Sequence, residues 1–108
     1  MKKRWAIGTL KTDAVEILRC RTNESIEIDS IHFVNYTTGN STVFLYHVPD
    51  GEVVSDEFHL VRNQAVNASD ALRLVDQRIC LMSGDTLHAY AADANKISAF
   101  IYGQANGS

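Results

Sequence analysis

The sequence predicts an all-β protein, an antiparallel β-sandwich of jelly-roll type with about eight short strands. Three observations predict it. Apolar residues recur with period two over most of the chain. Clusters of Gly, Asn, Asp, Ser and Pro interrupt that alternation at short intervals. No stretch of about 12 residues carries an apolar stripe at helical spacing. With 108 residues, 45% hydrophobic and 21% charged, the chain has core material for one domain, 1–108, and too little for two.

In chain order, strands are predicted near 5–10, 15–20 and 25–29. The clearest alternation is Ser30-Ile31-His32-Phe33-Val34-Asn35-Tyr36-Thr37, rich in β-branched and aromatic residues. It breaks at Thr38-Gly39-Asn40-Ser41, where Gly and Asn tolerate positive φ, and Thr42 to Val48 reads as the return strand of a hairpin that Pro49-Asp50-Gly51 closes. Between Val53 and Val75, the residues Phe58, Leu60, Val66, Leu72, Leu74 and Val75 fit strands over 57–61 and 71–75, with Ser69-Asp70 as an alternative cap for one helical turn. Arg78 to Met82, Ser83-Gly84-Asp85 and Thr86 to Ala91 repeat the strand, turn, strand pattern, and a last strand covers 96–103.

Ten Lys and Arg against thirteen Asp and Glu leave a net charge of −3 at pH 7, and the basic residues cluster only at Lys2, Lys3 and Arg4. A phosphate-binding surface needs clustered positive charge, and the aromatic-rich strands nearly lack Lys and Arg, so no nucleic-acid partner is expected. No apolar segment of roughly 7 to 15 residues follows Arg4 and none of about 18 occurs anywhere, so neither a signal peptide nor a membrane span is expected. Cys20 and Cys80 read as two idle thiols, because a domain of this size holds together without staples. The sequons at Asn35, Asn40 and Asn67 read as turn chemistry.

Catalytic chemistry is sparse. The chain has no G-x-S-x-G, no Gly-rich phosphate loop and no H-E-x-x-H, so no catalytic residue, metal or cofactor is predicted and the protein is not expected to be an enzyme. The strongest metal candidate is the acidic stretch His47, Asp50, Glu52, Asp56, Glu57, His59, since two imidazoles with nearby carboxylates can ligate a divalent ion. It lacks the spacing a cupin uses, two His one residue apart followed by a later Glu and His, and reads as a solvated loop. His32 and His88 sit inside strands and read as packed side chains. Trp5 reads as a ring closing the end of the core, with stacking on a sugar or a base as its second use.

A sandwich strand has one buried and one wet face. If Ile31, Phe33, Val43, Leu45, Leu87, Ala89, Ala91, Ile97, Ala99 and Ile101 point inward, the outward positions are His32, Val34, Tyr36, Phe44, Tyr46, Val48, His88, Tyr90, Phe100 and Tyr102. That second face is too apolar to be wet. Tyr36, Phe44, Tyr46, Tyr90, Phe100 and Tyr102 are therefore the predicted interface, with Tyr90 and Tyr102 expected on neighbouring strands and Phe100 one pleat away.

Ser30-Ile31-His32-Phe33-Val34-Asn35, a small polar turn, Thr42-Val43-Phe44-Leu45, then Leu81 to Gly84-Asp85-Thr86-Leu87 and a final alternating strand resemble small virion structural proteins of tailed bacteriophages. The resemblance implies a capsid decoration or cement protein, or a neck or tail accessory protein. Such a protein is non-enzymatic, located in the virion, and assembled as a homo-oligomer, with a trimer favoured, on other virion proteins. The competing expectations are a receptor- or carbohydrate-binding sandwich module that stacks sugars on outer aromatics or Trp5, and a cupin-like metalloenzyme using His47 and His59.

Overall fold

The computed structural model describes residues 2–107, with the side chains of residues 2, 3, 76–78 and 107 outside the description, two members of the basic cluster among them. Eight strands follow one another: β1 (Lys2–Thr9), β2 (Val15–Arg19), β3 (Glu24–Asn35), β4 (Ser41–Val48), β5 (His59–Val66), β6 (Ala71–Leu81), β7 (Thr86–Ala91) and β8 (Ile97–Gly107). They form two antiparallel four-stranded sheets, ordered β1-β8-β3-β6 and β2-β7-β4-β5. The chain changes sheet at every connection except β4 to β5. This is the strand order of a jelly roll, and the chain is an all-β sandwich.

Period-two alternation drives the packing, because every second side chain of each sheet can reach the space between the sheets. All ten residues expected to point inward, from Ile31 and Phe33 to Ala99 and Ile101, are at 0% exposure. Small residues at Ala89, Ala91 and Ala99 alternate with the large side chains of Phe33, Leu45 and Ile101 and let the two inner faces interdigitate.

Several boundaries differ from expectation for identifiable reasons. The strands predicted over 25–29 and 30–37 are one strand, β3, and a register shift between Ile28 and Ser30 absorbs one residue. Ile26 and Ile28 therefore share the buried face with Ile31 and Phe33 although the spacing changes parity. The segments 71–75 and 78–82 likewise merge into β6, and the helical-turn alternative at Ser69-Asp70 is a tight turn with Ser69 at φ 59. Asp56–Phe58 is a 3-10 turn, so β5 starts two residues later than expected and runs on to Val66.

The two expected hairpins are corrected to arches. Residues 36–40 join β3 in one sheet to β4 in the other, and residues 82–85 join β6 to β7 in the same manner. A hairpin and an arch share the same turn residues and differ only in whether the flanking strands pair with each other. Asn35 organises the first arch. Fully buried, it donates from Nδ2 to the carbonyls of Gly39 (2.8 Å) and Val66 (3.0 Å) and accepts at Oδ1 from the Thr37 amide (3.0 Å) and hydroxyl (2.8 Å). In the second arch Gly84 has φ +88, and a Cβ there would run into the Asp50 side chain. The Asn40 side chain accepts from the Ala68 amide at 2.8 Å, so with Asn35 two of the three sequon asparagines do turn work. Cys20 and Cys80 are free thiols, the first buried and the second exposed, and burial pushes the Cys20 pKa up.

Candidate functional site

The predicted interface residues do not form one patch. β7 and β8 belong to different sheets, so Tyr90 and Tyr102 stand on opposite outer faces of the sandwich rather than on neighbouring strands. The correction follows from topology: consecutive strands in this order almost always cross between sheets, and alternation alone says only that a side chain points away from the core.

On the outer face of the β2-β7-β4-β5 sheet, register places Phe44 beside Tyr90, and Tyr46 beside His88 and His59. Phe44 and Tyr90 stack with centroids 4.3 Å apart and planes 4° from parallel, and the His59 ring lies 4.1 Å from that of Tyr46. Tyr46 and Tyr90 close the group at 6.1 Å. Tyr46 is only 6% exposed, and burial, with hydrogen bonding to Tyr90, pushes its phenol up to about 12. Val48, expected among the outward positions, is 2% exposed although it points outward with Thr86. Residues 49–54 turn back beside Thr86 and His88 and the 3-10 turn packs on β4, so the chain covers part of this face itself.

Among the described residues, the outer face of the other sheet is not covered in that way. Its cross-strand rows run Ala6, Phe100, His32, Arg73 and Arg4, Tyr102, Ser30, Val75. His32 meets Tyr102 edge to face at 5.2 Å, and Tyr102 and Val75 are exposed. Tyr36 belongs to neither group. It lies beyond the end of β3, exposed, with its hydroxyl 3.3 Å from that of Thr9.

The two imidazoles of the acidic stretch are not brought together. His47 donates from Nε2 to Asp85 Oδ2 at 3.0 Å, whereas His59 lies on Tyr46, whose side chain leaves β4 on the side opposite His47. His59 Nδ1 donates to the Asp56 carbonyl at 2.9 Å. Among the described residues no group of three or more His, Cys, Asp or Glu could hold a metal ion. Asp85 is the hub of this end: it also accepts from the amides of Met82 and Asp50, each at 3.0 Å. Burial raises its pKa, but the Met82 amide, His47 and the Asp50 amide outweigh burial and hold the carboxyl below its ordinary value.

A cleft of about 470 Å³ opens where edge strands β1 and β2 border the two sheets. Trp5 faces inward opposite Ile101, half-buried against the core as expected for a closing ring, and it also walls this cleft with Ile26 and Ala105. Glu16, Arg19, Arg21 and Glu24 line it too. Arg19 clamps Glu16 with two bonds of 2.6 and 3.2 Å. A second depression of about 320 Å³ shares Glu16 and Arg19 and continues under residues 49–54. Sequence reasoning missed these four charged residues. The available signal was the dense charge flanking the short strand β2, which reads equally well as a solvated edge.

Comparison of the chain with protein-family models, curated proteins and solved structures finds no match in any of the three.

Proposed function

We propose that this chain is a non-enzymatic structural protein that self-associates through a sheet face and docks on a larger assembly. From its likeness to small virion proteins of tailed bacteriophages, we take that assembly to be a phage head or tail. The observation that carries the reading is the presence of outward aromatics on both outer faces, Phe100 and Tyr102 along β8 on one and the stacked Phe44 and Tyr90 on the other. Two opposed faces suit a protein that binds a sister copy on one side and a lattice on the other. The uncovered face of the β1-β8-β3-β6 sheet is the one assigned to self-association, since burying its apolar area is worth roughly 25 cal/mol per Å².

Light scattering coupled to size exclusion tests this. The wild type is expected to run as a homo-oligomer, with a trimer favoured, and Tyr102→Asp to run as a folded monomer because it places a charge in a desolvated contact. A wild type that stays monomeric at high concentration overturns self-association. The virion assignment is tested by the reading frames flanking the gene, which are expected to encode head or tail proteins; a neighbourhood of metabolic genes overturns it.

A further inference from the structure

The cleft beside β1 lies apart from the aromatic groups of both outer faces, although Glu16 and Arg19, opposite His88 and Thr86, also border the outer face of the β2-β7-β4-β5 sheet. Its volume of about 470 Å³ lies within the range of small-ligand sites, roughly 300–1,000 Å³. Trp5 lines it together with Ile17, Leu18, Ile26 and Ala105, and its charged lining consists of two carboxylates and two guanidiniums. These charges sum to zero at neutral pH. Glu16 and Arg19 neutralise each other through their double hydrogen bond. Glu24 is held in place by the Arg21 amide at 3.2 Å, and the Arg21 guanidinium makes no ion pair among the described residues.

We infer that this cleft is a binding site for a neutral oligosaccharide. A pyranose ring has an apolar C–H face that covers an indole and a rim of hydroxyls that both donate and accept. Carboxylates accept from such hydroxyls, and guanidiniums donate to them. An anionic ligand would meet Glu16 and Glu24, and a cationic one Arg19 and Arg21. A purely apolar ligand would desolvate all four charges without compensation. The adjoining depression, reached past the Glu16–Arg19 pair, extends the cleft for a chain of several sugars rather than one.

Trp5 is the single tryptophan of the chain, so its fluorescence reports this site alone. The experiment titrates the full chain with maltohexaose, cellohexaose, xylohexaose, mannohexaose and chitohexaose, and with an acidic oligogalacturonate. A saturable change in emission is expected with at least one neutral oligomer, and at least tenfold weaker binding in Glu24→Gln and in Arg21→Gln. Both variants change exposed or half-buried side chains, and circular dichroism verifies that they fold. Calorimetry of Trp5→Phe is expected to show weakened binding of the same oligomer. The inference is overturned if no neutral oligomer gives a saturable change at millimolar concentration, if only the acidic oligomer binds, or if the Glu24 and Arg21 variants bind as the wild type does. A monomeric wild type that binds a neutral oligomer overturns self-association and leaves this site standing.

Discussion

Asp85 accepts a hydrogen bond from the imidazole of His47 at 3.0 Å and so ties the turn between β6 and β7 to the end of β4. The same carboxylate holds the amides of Met82 and Asp50. One side chain thereby joins three chain segments at this end of the sandwich.

Because those bonds hold the Asp85 carboxyl below its ordinary 3.8, the unfolded chain takes up a proton there before the folded one does. The stabilisation is present above pH 3.8 and is lost as pH falls through the lower folded value. Urea denaturation is expected to show a steep acid limb in the wild type that is flatter in Asp85→Asn. At pH 7, Asp85→Ala is expected to cost at least about 3 kcal/mol, since it removes three hydrogen bonds to a charged group and even one such bond is worth roughly 1.5–3 kcal/mol. A variant within about 0.5 kcal/mol of wild type contradicts the hub.

His88 gives a second pH dependence in a different window. Burial, opposed by Glu16 and reinforced by Arg19, holds its imidazole below the usual 6.5. The neutral ring is favoured in the fold, so stability is complete above pH 6.5 and declines as pH falls toward the lowered value. His88→Gln is expected to remove that decline, which melting temperatures across mildly acidic pH measure directly.

Tyr46, buried under His59 and beside Tyr90, is expected to titrate near 12 in a spectrophotometric titration of the folded protein. Of the four tyrosines, this one should be missing from the high-pH step in Tyr46→Phe. A wild type with no phenol titrating above the ordinary range refutes the packing described for this face.

Asn35 saturates its amide with four hydrogen bonds at 0% exposure. Asn35→Ala removes a donor from the Gly39 and Val66 carbonyls and the acceptor of the Thr37 amide and hydroxyl, and is expected to cost about 3 kcal/mol in chemical denaturation. Asn35→Asp replaces the donor that serves Gly39 and Val66 with a buried charge and is expected to be worse still. Equal stability of Asn35→Ala and wild type would remove the arch from the list of features that hold the fold.

Much of the architecture is readable from local pattern. The inward set from Ile31 to Ile101 follows from period two, and so does the β7 segment Thr86–Ala91, found at the boundaries expected. Turn residues are equally legible, because Gly84 at positive φ and the Asn35 side-chain bonds are local chemistry. The candidate site was legible only in kind. An excess of outward aromatics announced exposed apolar surface, yet its division between two faces could not be read, since Tyr90 and Tyr102 have the same parity on strands of different sheets.

The chain alone therefore specifies the side chains that fill the space between the sheets, since that depends on spacing along a strand and on the cost of leaving apolar area exposed. Partner choice belongs to the folded molecule. Whether Thr38 to Ser41 closes a hairpin or an arch depends on what β3 finds beside it, here β6 and β8. The separation of His47 from His59 has the same origin, as do the covering of Val48 and the meeting of Trp5 with Glu24 in one cleft: each joins residues distant in sequence through packing that no local window contains.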